Sequence, residues 1–351
     1  MTGPGLVFPD DLDAWCRWSD SRNRVRFGLA AAKRFVRHQP SVPPAKLYLP
    51  VERPTTLVVL DQVSASCRYA TFDPLEHLDP DRTAVLSAHP EAREAATGAV
   101  RVMEWNEGGW LPPSIEQVLT LGTFNHLARQ VKPWATRHNA RFCVIQHGLL
   151  TPWAPPLSPG DHLFAWSEAD AEYQCAGRSD VTSEVTGSQM LWKASRLPKV
   201  EILDETPVML GQLHGAELGR AAKQRMYTQF CTSTGAIYRP HPNEADVMSR
   251  VQHRIMARAG VIIEASGKSL VEEGRPVVSI FSTGTLEAAC RGLPAWVHHP
   301  DPPAWVSEFW DRYQLSRWGD PPTRPLPQPE EEPAAAVAKA LTGRTSARED
   351  G

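Results

Sequence analysis

From Arg141 onward, short apolar runs alternate with amphipathic helical stretches, and this alternation constrains the fold more than any other feature of the sequence. Arg141–Gln146, Asp161–Trp166, Val181–Thr186, Pro207–Gly211, Ala236–Tyr238, Val277–Phe281 and Ala295–His298 read as strands. Helical patterns lie between them. One starts near Ser167 with Glu168 and Asp170 in its first turn; others are Glu217–Cys231, Glu244–Ala259 and a segment after Ser282 that Gly292 and Pro294 end. Apolar strands that alternate with helices specify parallel sheets wrapped by helices, the α/β class.

Upstream the pattern is harder to read. Lys46–Leu49 and Thr56–Leu60 look like short strands, the second ending at Asp61. Residues 64–113 read as mostly loop with a few short elements. From Ser114 as N-cap through Arg129, the spacing of Ile115, Val118, Leu119, Leu121 and Leu127 predicts a helix. Residues 10–37 set Leu12, Trp15, Trp18, Val25, Leu29 and Val36 among charged residues, as one or two amphipathic helices would; a solvated face or contact with a membrane surface or an anionic polymer would each suit them. Val261–Glu264 is a further strand pattern, and Trp305–Tyr313 an amphipathic one. Beyond about residue 320 the run PPTRPLPQPEEEP has linker composition, followed by an Ala-rich helix over 333–342 and a polar tail.

A chain of 351 residues is long enough for two domains, each with its own core. The expected division is 1–190, 191–320 and a tail of 321–351, with 188–206 as the crossing between the first two. A net charge of −3 argues against a nucleic-acid binder that works by global attraction. The six cysteines form no CxxC pair, so neither a zinc site nor a disulfide framework is indicated. The N-terminus lacks a basic segment followed by an apolar run, and no stretch approaches the roughly 20 apolar residues that cross a bilayer. A cytoplasmic protein, working free or at the inner face of the membrane, is the expectation.

Three polar loops fall at carboxyl ends of the expected parallel strands, where ligands of open α/β sheets bind. The first is Gln146-His147-Gly148, whose imidazole could serve as a general base toward a hydroxyl. In the second, Arg239-Pro240-His241-Pro242, prolines hold a guanidinium and an imidazole with little freedom, an arrangement suited to an anion. The third, Ser282-Thr283-Gly284-Thr285-Leu286-Glu287, enters a helix and offers backbone N–H groups and hydroxyls to a phosphate. Gly211 and His214 form a weaker fourth candidate, a glycine-containing loop that could admit a donor phosphate or an acceptor. Taken singly, these are also an ordinary proline-rich turn, a strand-capping histidine and a common helix cap. No DxD or other metal-ligand spacing stands out, so no metal and no cofactor are expected.

Together, His147-Gly148, Arg239-Pro240-His241-Pro242, Ser282 through Ala289 and Gly292-Leu293-Pro294 resemble the GT-B glycosyltransferases. More narrowly, they are similar to the CDP-glycerol glycerophosphotransferases of teichoic acid synthesis and the bacterial capsule polysialyltransferases. The resemblance covers about residues 141–300. It implies two Rossmann-like domains facing a cleft, with His147 and His241 meeting across it. It further implies metal-independent transfer of a glycosyl or polyol-phosphate group from a CDP-, CMP-, UDP- or GDP-linked donor to an acceptor hydroxyl. That acceptor would be a glycan, polyol or lipid-linked molecule of cell-surface polysaccharide, teichoic-acid-like polymer or glycoconjugate synthesis. His147 is implied to be the catalytic base, Arg239 and His241 to hold the donor phosphates, and Ser282, Thr283 and Glu287 to contact the nucleotide, with the acidic residue on the ribose. Two alternatives stay open: a nucleotide-sugar 2-epimerase of related fold, and a binding module without catalysis.

Overall fold

The computed structural model describes residues 5–21, 44–97, 100–264 and 270–343. The chain forms two compact units, a larger one of residues 5–148, 153–192 and 329–343, and a smaller one of 149–152 and 193–328.

The larger unit is built on eight strands: β1 (Ala45–Pro50), β2 (Thr56–Leu60), β3 (Thr83–Ser87), β4 (Val100–Trp105), β5 (Gln117–Thr120), β6 (Arg141–Ile145), β7 (Asp161–Ala165) and β8 (Thr182–Val185). Their order across the sheet is β4-β1-β3-β2-β5-β6-β7-β8. Neighbours from β3 to β8 pair in parallel, whereas β1 runs antiparallel to both β3 and β4. Alternate residues of β2 enter different cores. Leu57 and Val59 pack with Leu127, Val131 and Trp134 of the helix His126–Arg137. Val58 and Leu60 pack with Cys67 and Ala70 of the helix Ala65–Thr71 and with Val337, Ala338 and Leu341 of the helix Pro333–Thr342. A sheet covered on both faces needs apolar side chains at successive strand positions, and β2 supplies them.

The smaller unit holds β9 (Val208–Leu210), β10 (Ile237–Arg239), β11 (Val277–Ser279) and β12 (Ala295–Val297), all parallel, in the order β10-β9-β11-β12. Its helices include Arg220–Thr234, Val247–Arg258, Thr283–Cys290 and Ala304–Arg312. Each unit is thus a Rossmann-like α/β layer structure. Among the described residues no helix is long and apolar enough to cross a membrane.

Two sequence expectations change. The helix expected from Ser114 to Arg129 is instead β5, a turn and the start of the helix His126–Arg137. All four residues of β5 are buried between β2 and β6, so its apolar positions carry no period of two, and Val118, Leu119 and Leu121 fell by accident on helical spacing. The few short elements expected in residues 64–113 include the helix Ala65–Thr71 and the strands β3 and β4, which take up about half of that segment together with two shorter helical turns. The strand pattern of Val261–Glu264 reduces to a single bridge between Ile263 and Tyr238. Residues 12–21 are helical, and the rest of the 10–37 expectation lies outside the described residues.

Candidate functional site

In the smaller unit the connection from β9 leads to β10 on one side, and that from β11 to β12 on the other. The carboxyl ends of β9 and β11 therefore flank the point where the winding reverses, the place where open α/β sheets leave a crevice. The loops bordering it are cross-linked, for the Gln212 Oε1 after β9 accepts a hydrogen bond from the Phe281 N–H after β11 at 3.2 Å. His214 and His241, from the loops after β9 and β10, stack with ring centroids 4.1 Å apart and 28° between planes. The Asn243 N–H donates to His241 Nδ1 at 3.1 Å, which leaves Nε2 carrying the proton in the neutral ring. Burial and the neighbouring His214 push the His241 pKa down to about 4, so at neutral pH this imidazole is an uncharged N–H donor.

Beneath the stack lies Glu244, whose side chain is wholly buried. Its Oε1 accepts from the Leu213 N–H at 2.8 Å, and its Oε2 from the Tyr238 hydroxyl at 2.9 Å and His253 Nε2 at 2.8 Å. His214 Nδ1 stands 3.9 Å from Oε1. Burial alone would raise this carboxyl, but His214, His253, Leu213 and Tyr238 outweigh it and hold the pKa down at about 2. Glu244 is thus not presented to a ligand with the rest of its motif. It anchors the two histidine loops to each other.

Gly211 takes part in the same packing, since an added Cβ would lie 2.3 Å from the Tyr238 hydroxyl and 2.9 Å from Glu244 Oε1. The missing side chain lets the backbone lie against Tyr238. Lys223, buried on the helix Arg220–Thr234, donates from Nζ to the carbonyls of Gln212 at 2.5 Å and Gly215 at 2.6 Å, and so closes the turn that carries His214. Burial lowers its pKa to about 8.

Arg239 pairs with Glu273 at 2.9 Å, and side-chain alternation along β10 turns it to the face opposite Tyr238. The Ser282 hydroxyl caps the helix Thr283–Cys290 by accepting from the Gly284 N–H at 3.2 Å. Thr285 is fully buried with its hydroxyl 2.7 Å from that of Ser279. Thr283, Gly284 and Glu287 stay half-exposed, with Thr283 and Glu287 one helical turn apart on a common face. Burial raises the Glu287 pKa, against the pull of Arg291.

In the larger unit the winding reverses between β2 and β5. After β2, Asp61 accepts from the N–H groups of Leu127 and Ala128 at 2.8 and 3.1 Å, and Gln62 Nε2 donates to Asn125 Oδ1 at 2.7 Å. His147 follows β6, beside β5. Its ring stacks on Phe124 with centroids 6.1 Å apart and 15° between planes, and desolvation lowers its pKa to about 4. Gln146 fixes this loop, its Nε2 donating to the Gly148 carbonyl at 3.0 Å and its Oε1 accepting from the Trp166 N–H at 2.8 Å.

The structure therefore sets His214, His241 and the start of the helix Thr283–Cys290 on the loops that follow β9, β10 and β11, and His147 on the loop that follows β6 in the other unit. Gln62, Phe124, Asn125, Lys223 and His253 went unread. Of these, Gln62 carried a signal, lying two residues after the end of β2.

No protein-family model matches the chain, and none of the curated proteins compared does. Similar solved structures include one described as a UDP-N-acetylglucosamine 2-epimerase from Listeria monocytogenes, at 14% identity and TM-score 0.46 over 84% of this chain and 89% of that one. The UDP-GlcNAc 2-epimerase from Methanocaldococcus jannaschii matches at 9% identity and TM-score 0.42, over 82% of this chain and 99% of its own. An O-GlcNAc transferase variant from Thermobaculum terrenum matches at 13% identity and TM-score 0.45, over 88% of this chain and 64% of its own. These likenesses concern the course of the backbone, at identities too low to carry residue roles across.

Proposed function

We propose that the chain is a metal-independent transferase of the GT-B type that moves a glycosyl or polyol-phosphate group from a nucleotide-activated donor to an acceptor hydroxyl. The observation that carries this reading is the crevice between β9 and β11, where the stacked His214 and His241 stand with the capped start of the helix Thr283–Cys290. A neutral Nε2–H on His241, the Thr283 backbone at the positive end of a helix dipole and a turn stapled by Lys223 suit the phosphates of a nucleotide donor. As the donor bond breaks, these donors stabilise the charge that grows on the leaving nucleotide. Thr283 and Glu287 are placed to meet the nucleoside. Arg239 shares itself with Glu273 and acts at longer range. His147, uncharged at neutral pH, takes the proton of the attacking hydroxyl.

Thermal-shift and calorimetric titration with CDP, CMP, UDP and GDP test the donor half, because a ligand held only by the folded state raises its melting temperature. The wild type is expected to bind at least one of them, and His241→Ala to bind it about 10- to 100-fold more weakly, the worth of a hydrogen bond to a charged group. His147→Ala is expected to keep nucleotide affinity and lose about 10²- to 10⁴-fold in kcat. Full transfer activity in both folded variants would defeat the assignment. Incubation with a nucleotide sugar and no acceptor separates transfer from epimerisation, since only an epimerase would convert the donor sugar alone.

A further inference from the structure

We propose that the aromatic row running from the helical residues 12–21 to His147 is the seat of a sugar ring, so that the acceptor is a neutral glycan and not a linear polyol phosphate. The proposal rests on the transfer reading and names the acceptor class for it. Phe8 lies 6.0 Å from Trp18, which stacks on Trp153 at 6.3 Å and 21°. Trp18 also lies 6.3 Å from Trp15, which meets Phe124 edge-on at 5.8 Å, and Phe124 stacks on His147. The row thus ends at the imidazole proposed to accept the proton. It also lies beside the reversal point between β2 and β5, where an open sheet leaves room for a ligand.

Burial sets these rings apart from the tryptophans that pack the core. Trp105, Trp134, Trp305 and Trp310 are each less than a tenth exposed, whereas Phe8, Trp15, Trp18, Phe124 and Trp153 are half-buried. Half-buried rings, one pair edge to face and the others tilted or stacked, leave apolar surface open to a partner, and the C–H faces of a pyranose fit such surface. The polar groups nearby are carboxamides. Asn125 is 7% exposed, its Oδ1 is taken by Gln62, and its Nδ2 has no hydrogen-bond partner among the described residues. Among the described charged groups, Arg17 is exposed and stands 3.9 Å from Asp11, while Asp61 and Arg129 are engaged within the fold. Asp61 caps the helix His126–Arg137, and Arg129 donates from Nε to the Thr123 carbonyl at 3.0 Å and from Nη2 to Cys16 Sγ at 2.6 Å. Aromatic faces and amides recognise hydroxyls and C–H groups, whereas an acceptor phosphate would call for a cation set among the rings themselves.

Saturation-transfer NMR on the whole chain tests this without any donor. The probes are methyl β-glucoside and methyl N-acetyl-β-glucosaminide, with ribitol and glycerol 3-phosphate as the linear alternatives. Irradiation of the aromatic resonances is expected to reach the ring protons of a glycoside and neither linear probe. Trp15→Leu, which keeps apolar volume while removing the aromatic face, and Trp18→Ala are each expected to weaken glycoside binding at least tenfold, with melting temperature and nucleotide affinity retained. The proposal is overturned if no glycoside binds, if both folded variants bind it as the wild type does, or if glycerol 3-phosphate binds in its place. Glycoside binding by a protein that takes no nucleotide would uphold the sugar seat and sink the transferase reading instead.

Discussion

Glu244 shows how much one buried carboxylate can organise. Four groups from three segments converge on it, and the stacked histidines His214 and His241 sit on loops that it ties together. Its carboxyl titrates near 4.5 when free and at about 2 in the folded protein, so the stabilisation is complete above pH 4.5 and fades as pH falls toward 2. By linkage it amounts to about 3 kcal/mol. Melting curves of the wild type and Glu244→Gln are expected to differ most at pH 7 and to converge between pH 4.5 and 2; a gap of constant size at pH 3 would contradict this. His147 makes a second prediction. Because desolvation keeps it neutral down to about pH 4, the acid limb of kcat is expected below pH 5 and not near the usual imidazole value of 6.5, measurable as a pH profile. The sequence made the motif around these residues legible, prolines and all. It did not disclose direction. Tyr238 and Arg239 are neighbours, yet one points to Glu244 and the other to Glu273, and a loop's sequence does not say which way its first side chain turns.

The passage from β11 through Ser282 into the helix Thr283–Cys290 was readable because a strand followed by hydroxyl residues and a helix is a local pattern. Its capping hydroxyl and close packing both lend themselves to test. Ser282→Ala is expected to cost about 1 kcal/mol of stability, the usual worth of an N-cap, and to weaken nucleotide binding as the first turn loosens. Gly284→Val places a Cβ where Leu210 Cδ1 lies 2.9 Å away, so the helix start must shift outward. Calorimetric nucleotide affinity and chemical denaturation are expected to fall together in this variant; affinity equal to that of the wild type would remove the helix start from the site. The element that stayed hidden was β5. Its four residues are apolar or buried on both faces, and pairing with β2 and β6, which no local window contains, decides that they extend instead of coiling.

At the scale of the whole molecule, the alternating pattern announced two α/β units, but the sequence offered no means to see that residues 329–343 join the larger one. Val337, Ala338 and Leu341 are almost fully buried in one of that unit's cores, and Gln189 meets both Glu332 and the Ala334 N–H. Gly187 allows the approach, for with φ at +89° an added Cβ would lie 2.9 Å from Pro329 Cγ. Truncation after residue 328 is expected to remove about 5 kcal/mol, as burial of a valine and a leucine at about 1.5–3 kcal/mol each implies. Hydrogen exchange should then quicken in β2 and β3 while β9 and β11 keep their protection. Equal protection in both sheets would refute the tail's role. Translation delivers the helix Pro333–Thr342 only after residues 193–328 have all been made, so until then the face that also carries the helix Ala65–Thr71 is only partly covered. On the nascent chain the body that begins first is completed last, and until then Val58, Leu60 and Val85 are surfaces that a chaperone would recognise.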